Sequence, residues 1–182
     1  MLRILGKASS INVRKVLWTC REIGLDYQRE DWGSGFAATG TPEFLAMNPN
    51  GLVPVIVDED GPLWESNTIC RYLTTKHRRT DLLPAAPRAR AEVEKWMDWQ
   101  ATDLNGAWRD AFMGLVRQHP DFRDPGRIAA GTAAWNAAMA ILDRRLAATG
   151  GRRLLRPAGR AARLPRARPQ RHPLRGVEPA VG

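Results

Sequence analysis

The sequence predicts a small α/β unit followed by an all-helical unit, and three observations carry that reading. Before residue 80, short β-branched or apolar runs alternate with stretches of helical periodicity, in the order βαβ and then ββα. Residues 78–90 form a polar connector holding Pro84 and Pro87. From residue 91 to about residue 146, apolar residues recur at helical spacing. With 182 residues and 20.3 kDa, the chain has enough apolar content for two small domains, each with its own core.

The first strand is the apolar run at residues 2–5, which Gly6 and the small, polar residues to Ser10 interrupt. A helix is expected next. Asn12 is an acceptable N-cap, Val13, Val16, Leu17, Cys20 and Ile23 form one stripe, and Gly24 supplies the stop. Residues 25–31 restart an extended segment, and residues 32–36 read as a surface loop in which Phe36 is an anchor.

Residues 48–73 are the most informative stretch. Asn48, Pro49, Asn50 and Gly51 form a turn, and Val53, Val55, Ile56 and Val57 then have strand character. Pro54 lies among them with no N–H for a ladder, which demands an edge, a bulge or a cis bond. A cis Val53–Pro54 bond would turn the N–H and C=O of Val53 toward an open groove, where an extended ligand pairs as a strand does. Asp58 to Gly61 make a hairpin turn before Leu63 and Trp64, and residues 67–75 carry Ile69, Tyr72 and Leu73 at helical spacing. Ser66 suits the helix start. Its hydroxyl and the free helix N–H groups can take a carboxylate while Glu65 takes an ammonium, so together they suit the zwitterionic end of an amino acid.

Past the connector, residues 91–101 place Val93, Trp96, Met97 and Gln100 on one face. Residues 105–117 carry Trp108, Phe112, Leu115 and Val116, and residues 127–146 give a third helix. Cys20 falls on the apolar stripe of its helix and Cys70 one turn into the next helix, and both read as buried thiols rather than a redox pair. His77, His119 and His172 have no ligand spacing, so no metal is expected. There is no phosphate-binding glycine motif and no serine elbow.

The run Asn48-Pro49-x-Gly51-x-Val53-Pro54, the hairpin, Trp64-Glu65-Ser66-x-x-Ile69 and Arg71-Tyr72-Leu73 resemble the glutathione-binding half of bacterial cytosolic glutathione S-transferases. The resemblance runs in order from residue 2 to about residue 148. It implies an α/β thioredoxin-like N-terminal domain over residues 1–80 and an all-α C-terminal domain over residues 88–150. The implied activity joins the thiolate of glutathione, the co-substrate, to small electrophiles, in a homodimer located in the cytoplasm.

In that family a tyrosine, serine or cysteine in the first strand-to-helix loop activates the thiol. The resemblance puts Ser10 there as first choice. Asn12 is the runner-up, because loop length alone does not separate the two positions. The residues implied to bind glutathione are Val53, Pro54, Glu65 and Ser66, and those implied to line an electrophile pocket are Trp108, Arg109 and Phe112. Ser10 and Asn12 also have a plainer reading as helix caps, and the aromatic residues one as core of an amphipathic helix. The competing functions are a glutathione-dependent reductase or dehalogenase, a non-catalytic thioredoxin-like binding module, and a basic-tailed protein associated with nucleic acid.

Residues 152–182 differ in character, with nine Arg, five Pro, one acidic residue and no aromatic residue. This segment holds a net charge of +8 out of the chain's +9. Such a composition is expected to remain disordered. Without lysine, stacking aromatics or an amphipathic repeat, it argues against nucleic acid and membrane as partners. Arg, Pro, Ala, Gly and Leu are what GC-rich codons yield out of frame, so the expectation is a frameshift after about Gly151 that leaves the helical domain incomplete. No apolar run is long enough to span a membrane and no signal peptide is legible at the start.

Overall fold

A computed structural model describes residues 1–149. Its elements run β1 (Leu2–Leu5), α1 (Ile11–Ile23), β2 (Tyr27–Glu30), α2 (Pro42–Met47), β3 (Val55–Asp58), β4 (Gly61–Trp64) and α3 (Ser66–Lys76). The helical part follows, with α4 (Pro87–Trp99), α5 (Asn105–Ala107), α6 (Arg109–Ala111) and α7 (Pro125–Ala148). The four strands form one sheet in the order β2-β1-β3-β4. β1 is parallel to β2, and β3 is antiparallel to both β1 and β4. The expected βαβ and ββα halves are both present, and the thioredoxin-like fold they imply is the fold observed.

Side chains alternate across a strand, so the sheet presents two different faces. Leu2, Ile4 and Ile56 point to one face and pack with Val16 and Cys20 of α1 and Ile69, Cys70 and Leu73 of α3. Leu5 and Val55 point to the other, where Phe44 of α2 covers them and Trp32 packs alongside. Both cysteines are buried. α1 stops where expected: Gly24 adopts φ 77°, and its N–H donates to the carbonyls of Arg21 and Cys20.

Two expectations needed correction here, and one helix was missed. The cap of α1 is Ser10, not Asn12, because the helix begins at Ile11 and Asn12 already lies in its first turn. α2 was not anticipated, although its start was written in the sequence: Thr41 Oγ1 accepts from the Phe44 N–H at 3.3 Å, and Pro42 holds the first turn. α4 begins at Pro87, four residues earlier than the periodicity suggested, because proline needs no N–H partner at a helix start.

The second helical stretch, residues 105–117, is not one helix. Wide π turns at Gln100–Leu104 and Phe112–Val116 flank the short α5 and α6. Gly106 and Gly114 lie in this stretch and weaken its helical preference. α7 is better defined, capped by Asp124, whose Oδ1 accepts from the N–H groups of Gly126 at 2.7 Å and Arg127 at 3.2 Å. Among the described residues, no helix is long and apolar enough to cross a membrane. The expectations for residues 151–182 lie outside the described residues.

Candidate functional site

Strand direction gathers the candidate residues at one end of the sheet. β1 leads into α1 and β4 leads into α3, and both strands run antiparallel to β3. The two helix N-termini therefore emerge at the same end. Register sharpens this: Leu5 pairs with Val55 and Val55 with Trp64, forming one row across three strands. One residue beyond that row come Gly6, Pro54 and Glu65. Gly6 has φ 149°, and a Cβ there would lie 2.5 Å from Val13 Cγ2 and 3.1 Å from Val53 Cβ. The missing side chain lets α1 and Val53 close on the strand end.

Ser10 sits at this end as the N-cap of α1. Its carbonyl accepts from the Arg14 N–H at 2.9 Å, while its Oγ accepts from the Val13 N–H at a long 3.5 Å. Among the described residues the hydroxyl proton has no acceptor, so it is available to donate. Asn12 is exposed in the first turn, two positions on. The positive end of a 13-residue helix points into the same space and favours an anion there.

The Val53–Pro54 bond is cis, one of the three forms the sequence allowed. Pro54 is buried, and no backbone partner among the described residues takes the N–H or C=O of Val53. The preceding turn is held by Asn48, only 3% exposed, which donates through Nδ2 to the Leu52 carbonyl at 2.7 Å and accepts from the Asn50 N–H at 3.0 Å.

Glu65 has φ 73° and ψ 108°, a conformation that a residue with a side chain rarely adopts. Such backbone costs about 1–3 kcal/mol and clusters at ligand clamps. Its carboxylate is exposed and only loosely held, accepting from the Asn67 N–H at 3.4 Å and the Ser66 hydroxyl at 3.5 Å. Ser66 is 3% exposed and opens α3. Loosely engaged acid, buried hydroxyl and free helix N–H groups together are what the two charges of an amino-acid terminus require.

Sequence reasoning missed a polar cluster just beneath. Lys15 of α1 donates from Nζ to Asn67 Oδ1 at 2.9 Å and to Gln100 Oε1 at 3.1 Å, and Asn67 Nδ2 donates to the Met97 carbonyl at 2.9 Å. Burial lowers the Lys15 pKa from its ordinary value, with Cys70 and Glu65 opposing the shift. No local signal announced the cluster, because Lys15 is 52 residues from Asn67 and 85 from Gln100.

Two of the helical candidates line a cavity whose walls come from the helical part. Trp108 and Phe112 meet edge to face at 4.7 Å and line a cavity of about 300 Å³ with Leu115, Thr132 and Trp135. No residue before 108 lines it. Arg109 is not part of it, since its guanidinium stacks on the Phe122 ring at 5.6 Å. A larger cavity of about 540 Å³ lies between α1, α3, α4 and Leu146, and neither Ser10, Glu65 nor Ser66 borders it.

Two other sets of reactive groups are occupied. Burial pushes the Cys20 thiol up to about 12 and also raises that of Cys70, whose Sγ receives the Thr19 hydroxyl at 3.2 Å, so neither is a ready nucleophile. The carboxylates of Asp58, Glu59 and Asp60 offer oxygens within 4.8 Å of one another. The Lys76 ammonium already bridges them, at 2.9, 2.5 and 3.1 Å.

Comparison with known proteins bears on the family and the fold. The family model described as "Glutathione S-transferase, N-terminal domain" matches residues 1–75. The chain is 44% identical over 149 residues to the glutathione S-transferase GstB of Escherichia coli strain K12, covering 81% of this chain and 72% of that protein. Among solved structures, it is similar to the theta class glutathione S-transferase of Xanthomonas axonopodis pv. citri with glutathione bound. That match has TM-score 0.73 and 41% identity, over 80% of this chain and 70% of the other. The first part is also 40% identical over 79 residues to elongation factor 1-gamma 2 of Oryza sativa subsp. japonica, which is 42% of this chain and 19% of that protein.

Proposed function

This chain belongs to the glutathione S-transferase family, and we propose that it binds glutathione at the open end of its sheet and joins the tripeptide's sulfur to electrophilic small molecules. The γ-glutamyl end lies against Glu65 and Ser66, the ammonium on the carboxylate and the carboxylate on the hydroxyl and N–H groups opening α3. The middle of the tripeptide pairs with the unpartnered main chain of Val53, beside Pro54. The sulfur then reaches the N-terminus of α1, where the Ser10 hydroxyl donates to it.

That hydrogen bond, with the helix dipole, stabilises the thiolate over the thiol and raises the fraction of nucleophile at neutral pH. The thiol proton passes to solvent and the thiolate attacks the electrophilic carbon to form a C–S bond; in a substitution the leaving group departs with the electron pair of its bond, and in an addition to a conjugated double bond the π pair shifts into the acceptor, which takes a proton from solvent. Asn12, exposed in the first turn, is the alternative donor. Trp108 and Phe112 offer an apolar wall for the electrophile; Arg109 serves at most from behind the Phe122 ring. The protein acts as a homodimer in the cytoplasm, without a metal, and its units divide near residues 80–88.

One observation carries the reading: the Ser10 hydroxyl with its proton unspent, the Val53 main chain without a partner among the described residues, and the positive-φ Glu65 before buried Ser66 share one sheet end. The test is turnover of a chromogenic electrophile with glutathione, compared with the Ser10→Ala variant. A second reading, a thioredoxin-like binding module without turnover, is favoured by the elongation-factor match over the same segment. Glutathione binding with no conversion of any electrophile would select it.

A further inference from the structure

We propose that Lys15 is a positioning residue for glutathione: acting through Asn67, it sets the separation between the two helix N-termini that hold the ends of the tripeptide. This rests on the function proposed above. The thiol end is assigned to Ser10 on α1 and the γ-glutamyl end to Glu65 and Ser66 at the start of α3. Lys15 lies five positions after Ser10 on one helix, and Asn67 directly follows Ser66 on the other.

The contact between these helices is otherwise mostly apolar, made by Val16 and Cys20 against Ile69, Cys70 and Leu73. Apolar burial is non-directional and tolerates sliding. A hydrogen bond from an ammonium to an amide oxygen at 2.9 Å does not. A second polar link between the two helices, from the Thr19 hydroxyl to the Cys70 sulfur at 3.2 Å, uses a weak acceptor.

Asn67 has no freedom to compensate. It is 5% exposed, its Oδ1 is held by Lys15, its Nδ2 is spent on the Met97 carbonyl, and its own N–H reaches the Glu65 carboxylate at 3.4 Å. A shift of Lys15 therefore reaches Glu65 through a single residue. The second acceptor on Lys15, Gln100 Oε1 at 3.1 Å, stands where α4 passes into the wide turn. The same cation thus ties the helical part of the chain to the glutathione end of the sheet. Both of its bonded acceptors are neutral amides, so the directional bonds fix its position while the Glu65 carboxylate acts on it only through space.

The test compares wild type with Lys15→Met, which keeps the stem and removes the donors, and Lys15→Arg, which restores them. Glutathione Kd is measured by calorimetric titration at a temperature where circular dichroism shows each variant folded, and KM is measured for glutathione and for the electrophile separately. The expected result is a roughly tenfold rise in Kd and in KM for glutathione in Lys15→Met, with KM for the electrophile within twofold and the Arg variant back within threefold of wild type. A folded Lys15→Met that binds glutathione like wild type overturns the proposal, as does an Arg variant no better than Met. Should Lys15→Met not fold, Gln100→Ala decides: about a threefold rise in Kd supports the assignment and an unchanged Kd overturns it. A flat titration of the wild type overturns the proposed function and this inference with it, whereas tight wild-type binding shared by Lys15→Met overturns the inference alone.

Discussion

The Tyr72 hydroxyl donates to Asp58 Oδ2 across 2.6 Å, pinning the middle of α3 to the turn between β3 and β4. Lys76, one turn further along the helix, joins the same carboxylate at 2.9 Å. The last strands and the last helix of the α/β unit are thereby fastened at the end opposite the candidate site.

This relationship predicts how stability depends on pH. Burial alone would raise the Asp58 pKa, but the bonds from Tyr72 and Lys76 outweigh it and hold the carboxyl below its ordinary 3.8. Its contribution is fully present above that ordinary value and is lost as pH falls through the lower folded one. Burial and then the Asp58 bond push Tyr72 from 10.0 up to about 12, so its contribution is full below 10.0 and is lost as pH rises through about 12. Urea unfolding across pH should show a plateau between these limits. Tyr72→Phe should lower the plateau by about 1–2 kcal/mol and flatten both flanks.

Ser10→Ala should reduce glutathione turnover about 100-fold, the scale for removing one donor to a developing or bound anion. The stability cost should be small, about 0.5 kcal/mol, because the capping bond to Val13 is long. The pH–rate profile should also move to higher pH as the bound thiol loses its donor. Asn12→Ala serves as the control and should stay within about threefold of wild type; a large loss there with little in Ser10→Ala would hand the role to Asn12.

Changes at the other end of the tripeptide should act on affinity rather than on the chemical step. Ser66→Ala and Glu65→Gln are each expected to raise KM for glutathione about tenfold, with kcat changed much less. Steady-state kinetics with glutathione as the varied substrate give that split directly. Equal falls in kcat and kcat/KM would count against placing the γ-glutamyl group there.

Gly6→Ala should destabilise the fold by about 2 kcal/mol or more. The new Cβ would meet Val13 Cγ2 at 2.5 Å and Val53 Cβ at 3.1 Å in a backbone with φ 149°. Thermal melts of Gly6→Ala and of its combination with Val13→Ala test the cause. The double change should recover part of the loss, because it removes the nearest clash while leaving the backbone strain.

Much of this molecule is legible from short stretches of sequence. β1, the stop of α1 at Gly24, the Asn48 turn, the hairpin at Asp58 to Gly61 and the start of α3 at Ser66 depend on turn chemistry and periodicity acting over a few residues. Where local signals compete, reading fails. Ser10 and Asn12 are both good caps, and only the packed position of α1 selects Ser10. Residues 105–117 have a helical stripe, yet they form two short helices beside wide turns, with glycines inside the stretch. α2 is six residues long and carries no periodic signal, so its Thr41–Pro42 start passes unnoticed.

Residue chemistry alone marks out the groups suited to holding a small peptide, because hydroxyl, carboxylate, proline and glycine declare their capacities wherever they stand. That they share one place follows from strand pairing and helix packing. The row Leu5–Val55–Trp64 aligns Gly6, Pro54 and Glu65 through strand register, and register is a property of pairing rather than of any one segment. The Lys15–Asn67–Gln100 contact exists only once chain segments 52 and 85 residues apart have packed, so no local pattern could encode it.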